Sequence, residues 1–222
     1  MKTLFRLALV LPLTACSGDE LSIRSLTSLF DGTGASARDE GQPTTRPLDG
    51  PIEPVARPSR TDLPDMTVTS LLDGSRKHFA VERYGNGVRV RQSNGCTWTR
   101  AGDWFSPSDS WARCGESRNW HTARATVREL DSLYPLQVGS VGRYERRAVS
   151  HTGRKQSRET RCEVSDAVAL LRPGREATPV FVVDCEDPRR RRTTWFAPGQ
   201  GPLAFRIEHK KKGLEEAWIR TD

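Results

Sequence analysis

A two-residue alternation of apolar and polar positions dominates the chain from Met66 onward. In residues 88–91 two valines fall on one face of an extended segment and two arginines on the other, and turn sequences with Asn and Gly flank the segment on both sides. The same period recurs in residues 144–150, 160–164, 180–185, 193–197, 203–209 and 215–221. Short alternating segments separated by turns predict an antiparallel meander with one packed face and one solvated face.

Helical period is nearly absent from the chain. Residues 119–130 fit a short helix and another strand equally well, and both interpretations stay open at this point. A weak internal repeat places Gly74 22 residues before Cys96 and Gly139 23 residues before Cys162. The predicted fold is therefore mainly β, an antiparallel meander that forms two tandem half-barrel-like units. These units are residues 66–132, which are rich in Trp, and residues 133–222.

The first fifteen residues have the layout of an export signal. Lys2 and Arg6 precede an apolar run, small residues follow the run, and Cys16 comes next. The apolar run covers residues 7–13 and contains Pro12, so it is too short for a transmembrane helix, which needs roughly 20 residues. An ordinary secretory signal followed by an unrelated Cys16 thiol is the alternative interpretation.

The sequence Leu13-Thr14-Ala15-Cys16 resembles the lipobox of bacterial lipoproteins, whose leader is cut before the cysteine and whose cysteine is acylated. The resemblance implies a covalent lipid on Cys16 and no further cofactor. Ser17 favours the outer membrane, with the domain facing the periplasm. Residues 16–65 carry this lipidated terminus and recurring prolines, which predicts a flexible tether.

Cysteine usage agrees with an oxidising compartment. With Cys16 acylated, four cysteines remain, and an even number of cysteines in an exported chain indicates disulfides. Of the three possible connectivities we favour the sequential one, Cys96 with Cys114 and Cys162 with Cys185, because each bond then joins a local unit. No C-x-x-C spacing occurs and the four histidines are scattered, so no metal site is predicted.

The positive charge of the chain lies in its distal part. The net charge is +7, and residues 61–222 contain 28 basic and 21 acidic residues. Arginine supplies most of the charge and suits phosphate and carboxylate partners, which in the envelope are lipid head groups and peptidoglycan rather than nucleic acid. Alternatively, the charges only keep a β-rich surface soluble. Two basic runs at predicted turns are candidate anion-binding residues: Arg189, Arg190, Arg191, Arg192, Lys210, Lys211 and Lys212.

The most unusual segment is residues 96–120, which contains four of the six tryptophans among Ser, Asp and Arg. Exposed indole rings beside polar side chains suit a sugar, which offers C–H faces to stack and hydroxyls to bind. Alternatively, a small disulfide-bonded domain uses its tryptophans as core. The candidate ligand platform is Trp98, Trp104, Trp111, Trp120, Arg100 and Asp103.

The ending at residues 192–203 resembles the closing hairpin of uncharacterised periplasmic half-barrel domains of Gram-negative bacteria. This resemblance implies a fold and no catalytic residue. We therefore expect a membrane-anchored envelope lipoprotein whose non-catalytic β domain binds peptidoglycan or a protein partner. Two alternatives stay open, a carrier of a hydrophobic ligand or lipid and a hydrolase.

Overall fold

The computed structural model describes residues 41–59, 63–114 and 117–222. The predicted leader, Cys16 and the first part of the tether lie outside the described residues. The strands are β1 (Thr45–Arg46), β2 (Met66–Ser70), β3 (Arg76–Tyr84), β4 (Gly87–Gln92), β5 (Thr97–Arg100), β6 (Ser110–Ala112), β7 (Ala123–Asp131), β8 (Val141–Ser150), β9 (Lys155–Leu170), β10 (Thr178–Glu186), β11 (Arg190–Ala197), β12 (Gly201–His209) and β13 (Gly213–Arg220). No helix in the described part of the chain is long and apolar enough to cross a membrane.

The strands form one antiparallel sheet that closes on itself. From β2 to β13 each strand pairs with the next one along the chain, and β13 pairs with β2. The result is an up-and-down barrel of twelve strands. The mainly β, antiparallel prediction is confirmed, and the open segment 119–130 contains strand β7.

The prediction of two tandem half-barrels is wrong. The first predicted unit supplies β2–β7 and the second supplies β8–β13, but both pairs of edges meet, β7 with β8 and β13 with β2. A six-stranded half would leave unpaired N–H and C=O groups on its two edges. Pairing across both seams satisfies these groups, so the two halves complete one barrel.

Alternating residues separate the barrel interior from its surface, as the sequence predicts. Val88 and Val90 point inward and are at most 1% exposed, whereas Arg89 and Arg91 point to the outside. Residues directly opposite each other on neighbouring strands point to the same face of the sheet. The strand register therefore continues the inward-facing positions through all twelve strands of the barrel.

A loop inserted into the barrel completes the core. We call residues 101–109, which join β5 to β6, the plug loop. The Phe105 ring is fully buried, and its centroid lies 5.1 Å from that of Phe196 and 6.4 Å from that of Tyr134. The buried Asp103 carboxylate holds the loop in shape, because its Oδ1 accepts hydrogen bonds from the backbone N–H groups of Phe105 and Ser106, each at 2.8 Å.

The described part of the predicted tether lies against the end of the barrel that contains the plug loop. Strand β1 pairs with the last two residues of β9. Val55 and Leu136 exchange two backbone hydrogen bonds of 3.0 and 2.8 Å, and the guanidinium carbon of Arg57 lies 5.2 Å from the centroid of the Tyr134 ring. The backbone of Val55 and the side chain of Arg57 therefore have specific partners on the barrel.

A second apolar cluster lies on the outer face of the sheet. Its buried members, each at most 6% exposed, are Leu170, Val180, Trp195, Ala197, Leu203, Ala204 and Ile219. The described chain begins beside this face, since a Cβ atom on Gly41 would lie 2.7 Å from that of Ala217. Trp195 therefore belongs to a core distinct from the barrel interior.

Both predicted disulfides are confirmed. Cys96 pairs with Cys114 and Cys162 pairs with Cys185. Cys162 and Cys185 are directly opposite each other on β9 and β10, and both belong to the inner core. Cys96–Cys114 instead joins the start of β5 to the loop after β6.

Candidate functional site

The meander gives the barrel two chemically different ends. The plug loop, the Val55–Leu136 bridge and the turns after the odd-numbered strands β3 to β11 lie at one end, which we call the plugged end. The turns after the even-numbered strands β2 to β12 lie at the other end. The two predicted basic runs flank turns at this second end, and the Lys210 N–H donates to the Arg189 carbonyl at 2.8 Å. We call it the basic end.

Exposed cations without carboxylate partners collect at the basic end. None of the following seven side chains forms an ion pair with a carboxylate among the described residues: Arg113, Arg118, Arg154, Lys155, Arg189, Lys211 and Lys212. Three exposed arginines at the plugged end, Arg46, Arg83 and Arg175, also lack such a partner in the described part of the chain, so the basic end holds the larger group of unpaired cations.

The remaining predicted anion-binding residues have partners or are inside. Arg190 pairs with Glu215 at 2.6 Å and Arg191 pairs with Asp184 at 3.0 Å. Lys210 pairs with Glu186. Arg192 points into the barrel, where its Nη2 donates to the carbonyl oxygen of Phe105 at 3.1 Å.

Two of the four candidate tryptophans form an aromatic pair at the basic end. Trp111 on β6 and Trp120 in the following loop stack with ring centroids 6.5 Å apart and an interplanar angle of 24°. The Trp111 indole N–H donates to the backbone carbonyl of Trp120 at 2.6 Å, which fixes the two residues together. Both residues are half-buried, so part of their aromatic surface meets solvent.

The other members of the predicted platform lie inside the barrel. The rings of Trp98 and Trp104 meet edge to face at 5.5 Å, and the Arg100 guanidinium carbon lies 4.6 and 5.0 Å from their centroids. Trp104, Arg100 and Asp103 are 7%, 7% and 4% exposed. The structure thus divides the platform into an internal group and a group at the basic end.

Burial along the inward face changes from one end to the other. Near the plugged end the inward residues Val88, Tyr144 and Val164 are at most 1% exposed. Towards the basic end several inward side chains are only half-buried: Trp98, Trp111, Arg146, Arg158, Arg192, Ile207 and Glu216. These seven side chains are therefore partly accessible, whereas the inward residues Ala123, Ala148 and Ser150 at the same end are at most 5% exposed.

Two arginines of the barrel interior were not among the site residues predicted from the sequence. Arg146 on β8 faces inward and its guanidinium carbon lies 5.2 Å from the centroid of the Trp111 ring. Arg158 on β9 is its cross-strand partner and pairs with Asp187 at 3.2 Å. The two-residue period along β8 could have identified Arg146 as an inward residue. Arg146 is two positions from Tyr144, whose aromatic side chain lies in the interior.

The buried arginines have unusual electrostatics. Desolvation lowers the pKa of Arg192 to about 10. Burial also lowers the pKa of Arg100 well below its usual value, and the neighbouring positive charge of Arg192 lowers it further. Perturbed groups of this kind often mark functional sites. Within the described ranges no group of three His, Cys, Asp or Glu side chains is placed to hold a metal ion.

Comparison of the chain with protein-family models, with curated proteins and with solved structures finds no match. We therefore infer a function from the geometry of the basic end.

Proposed function

We propose that this chain is an envelope lipoprotein, anchored through an acylated Cys16, whose barrel binds peptidoglycan at its basic end without catalysing a reaction. The observation that carries the proposal is the position of the Trp111–Trp120 pair. The two half-buried rings lie at the same end of the barrel as the exposed cations Arg189, Lys211 and Lys212.

Peptidoglycan combines the two chemical features that this end would recognise. Its sugar rings present C–H faces that stack on aromatic surfaces, and its peptides carry carboxylates. Arginine and lysine donate charge-assisted hydrogen bonds to carboxylates, and unpaired cations at the edge of a site raise the rate of association with an anionic partner. A protein partner with an acidic surface is the other ligand that this arrangement would accept.

The barrel interior favours this proposal over a carrier of an acyl chain. A carrier needs an apolar cavity, as in small barrels that hold one ligand. Here the fully buried Phe105 of the plug loop fills the centre, in contact with Phe196. The accessible half of the interior carries charged side chains such as Arg146 and Arg158.

A sedimentation assay with purified sacculi tests the proposal. Full-length protein in detergent is mixed with sacculi, and bound and free protein are measured after centrifugation. Replacing Trp111 and Trp120 together by alanine is expected to weaken retention at least about tenfold, which corresponds to about 1.4 kcal/mol, because buried aromatic anchors dominate binding energy.

The matched control is Tyr84→Ala. Tyr84 is an aromatic residue at the plugged end and is 36% exposed, so its removal should leave retention unchanged. The double variant must retain both disulfides and the strand content of the wild-type protein by circular dichroism. Equal retention of the double variant and the wild-type protein would contradict the proposal.

A further inference from the structure

Three arginines from three strands face the barrel interior, where Arg192 and Arg146 both act electrostatically on Arg100. Arg100 stacks on Trp98 and Arg146 on Trp111, and these two tryptophans are cross-strand partners. Arg100 ends β5, Arg146 lies on β8 and Arg192 lies on β11. Arg100 and Arg192 donate to neighbouring carbonyl oxygens of the plug loop, those of Trp104 and Phe105 respectively. Two guanidinium groups are thus held side by side in spite of their like charge.

No carboxylate of the described residues forms an ion pair with any of these three guanidinium groups. The Nε atoms of Arg100 and Arg192 are buried and have no hydrogen-bond partner within the described ranges. Buried donors without partners are uncommon and costly. These two unpartnered N–H groups are donors that an anion can accept hydrogen bonds from.

The neighbouring charges determine which anion would fit this group of arginines. Asp187 pairs with Arg158 at 3.2 Å and also acts on Arg146 and Arg192. Asp103 acts on both Arg100 and Arg192. Burial raises the pKa of Tyr144 far above its usual value, so this phenol stays uncharged. With Arg158 and Asp187 included, four guanidinium groups and two carboxylates leave two positive charges. A dianion balances these charges and a single carboxylate does not.

The aromatic neighbours leave the donor edges available. The rings of Trp98 and Trp104 cover the Arg100 guanidinium, and the Trp111 ring covers that of Arg146. Stacking of this kind uses the face of the guanidinium and leaves its in-plane N–H groups for an anion. Arg146 is half-buried, which leaves part of its side chain accessible from the basic end.

We propose that Arg100, Arg146 and Arg192 form an internal binding site for a tetrahedral dianion of the phosphate class, held by guanidinium N–H groups. The proposal is independent of peptidoglycan binding. It concerns a second site, deeper in the barrel than the Trp111–Trp120 pair.

Isothermal titration calorimetry on the full-length protein in detergent tests this site. The protein is titrated at constant ionic strength with sodium phosphate, sulfate, glycerol 1-phosphate or acetate. Phosphate and sulfate should bind saturably, and acetate should bind at least about tenfold more weakly, since it leaves one positive charge unbalanced. Quenching or enhancement of tryptophan fluorescence should follow the same isotherm, because Trp98 and Trp104 contact Arg100.

Substitution on one strand supplies a matched pair. Arg146→Met should weaken phosphate binding by roughly 10- to 100-fold, the range expected for lost hydrogen bonds to a charged group. Arg147→Met is the control, since Arg147 points outward and its side chain is 72% exposed. Arg192→Lys keeps the charge but removes the planar fork, and it should weaken binding about tenfold even if Arg192→Met fails to fold.

Glycerol 1-phosphate, a phosphate monoester, distinguishes a site for free phosphate from a site for the phosphate group of a larger ligand. Tighter binding of glycerol 1-phosphate than of phosphate would assign the site to the phosphate group of a larger ligand, and equal binding would assign it to the free ion. Absence of saturable binding of phosphate, sulfate and the monoester at about 10 mM would overturn the proposal. Equal losses in Arg146→Met and Arg147→Met would overturn it as well. Neither result would change the retention of wild-type protein on sacculi.

Discussion

Replacing Phe105 by alanine is expected to lower the free energy of unfolding by about 3–5 kcal/mol, the largest effect of any single side chain of the plug loop. The Phe105 ring is fully buried and packs against Phe196 and Tyr134. Its removal would leave a cavity in the centre of the barrel, where surrounding strands cannot collapse freely because each is hydrogen-bonded on both sides. Urea unfolding followed by circular dichroism measures the change.

Tyr84→Ala is the control for this measurement. Tyr84 is partly exposed and its main aromatic contact is with Arg89, whose guanidinium carbon lies 4.8 Å from the ring centroid. Loss of such a contact costs at most about 1 kcal/mol. If Phe105→Ala costs no more than Tyr84→Ala, the plug loop does not fill the barrel.

Replacing Cys162 and Cys185 together by alanine is expected to cost about 3 kcal/mol from the lost chain constraint alone. The two residues are 23 positions apart, and the chain-entropy relation assigns a loop of this length about that value. Both side chains also lie in the inner core, at 0% and 4% exposure, so truncation adds a packing loss. The midpoint of thermal or urea unfolding under non-reducing conditions checks the result.

The second disulfide provides the comparison. Cys96 and Cys114 are 18 positions apart, so the entropic contribution is nearly equal. Cys114, however, is half-buried outside the inner core. The Cys162/Cys185 variant should therefore lose more stability than the Cys96/Cys114 variant. Equal losses of stability in the two variants would show that the core position of the Cys162–Cys185 bond adds nothing to the stability.

Strands and disulfides could be predicted from the sequence because both are local properties. The two-residue period at Val88 and Val90 is visible within one strand, and each disulfide joins residues of neighbouring elements. Closure of the barrel is not local. It depends on β13 meeting β2, about 150 positions away, and on a strand tilt and stagger that no single segment encodes.

The candidate site was predicted in part. The cluster of tryptophans and the basic runs were found from composition, and the structure brings Arg189 and Lys210 together at one end of the barrel. Sequence could not separate Trp104 from Trp111, because the plug loop, which contains Trp104, folds into the barrel rather than over its surface. The same insertion buries Arg100 and Asp103, which the sequence placed on a polar surface.

The interior arginines show a different limit of sequence reasoning. Arg146 stands between Glu145 and Arg147, a charged run that is typical of a solvated strand. Only the parity it shares with Tyr144 distinguishes it from its exposed neighbours. Burial of such a group costs free energy unless it is compensated, which is why its position carries more functional information than the exposed charges do.

Chemical amidation of the carboxylates of purified sacculi tests the proposed function most directly. Wild-type full-length protein in detergent should be retained on native sacculi, and retention should fall several-fold on amidated sacculi and at high salt, since unpaired cations at the basic end would lose their partners. Equal retention on native and amidated sacculi, insensitive to salt, would contradict recognition of an anionic glycan by this end of the barrel.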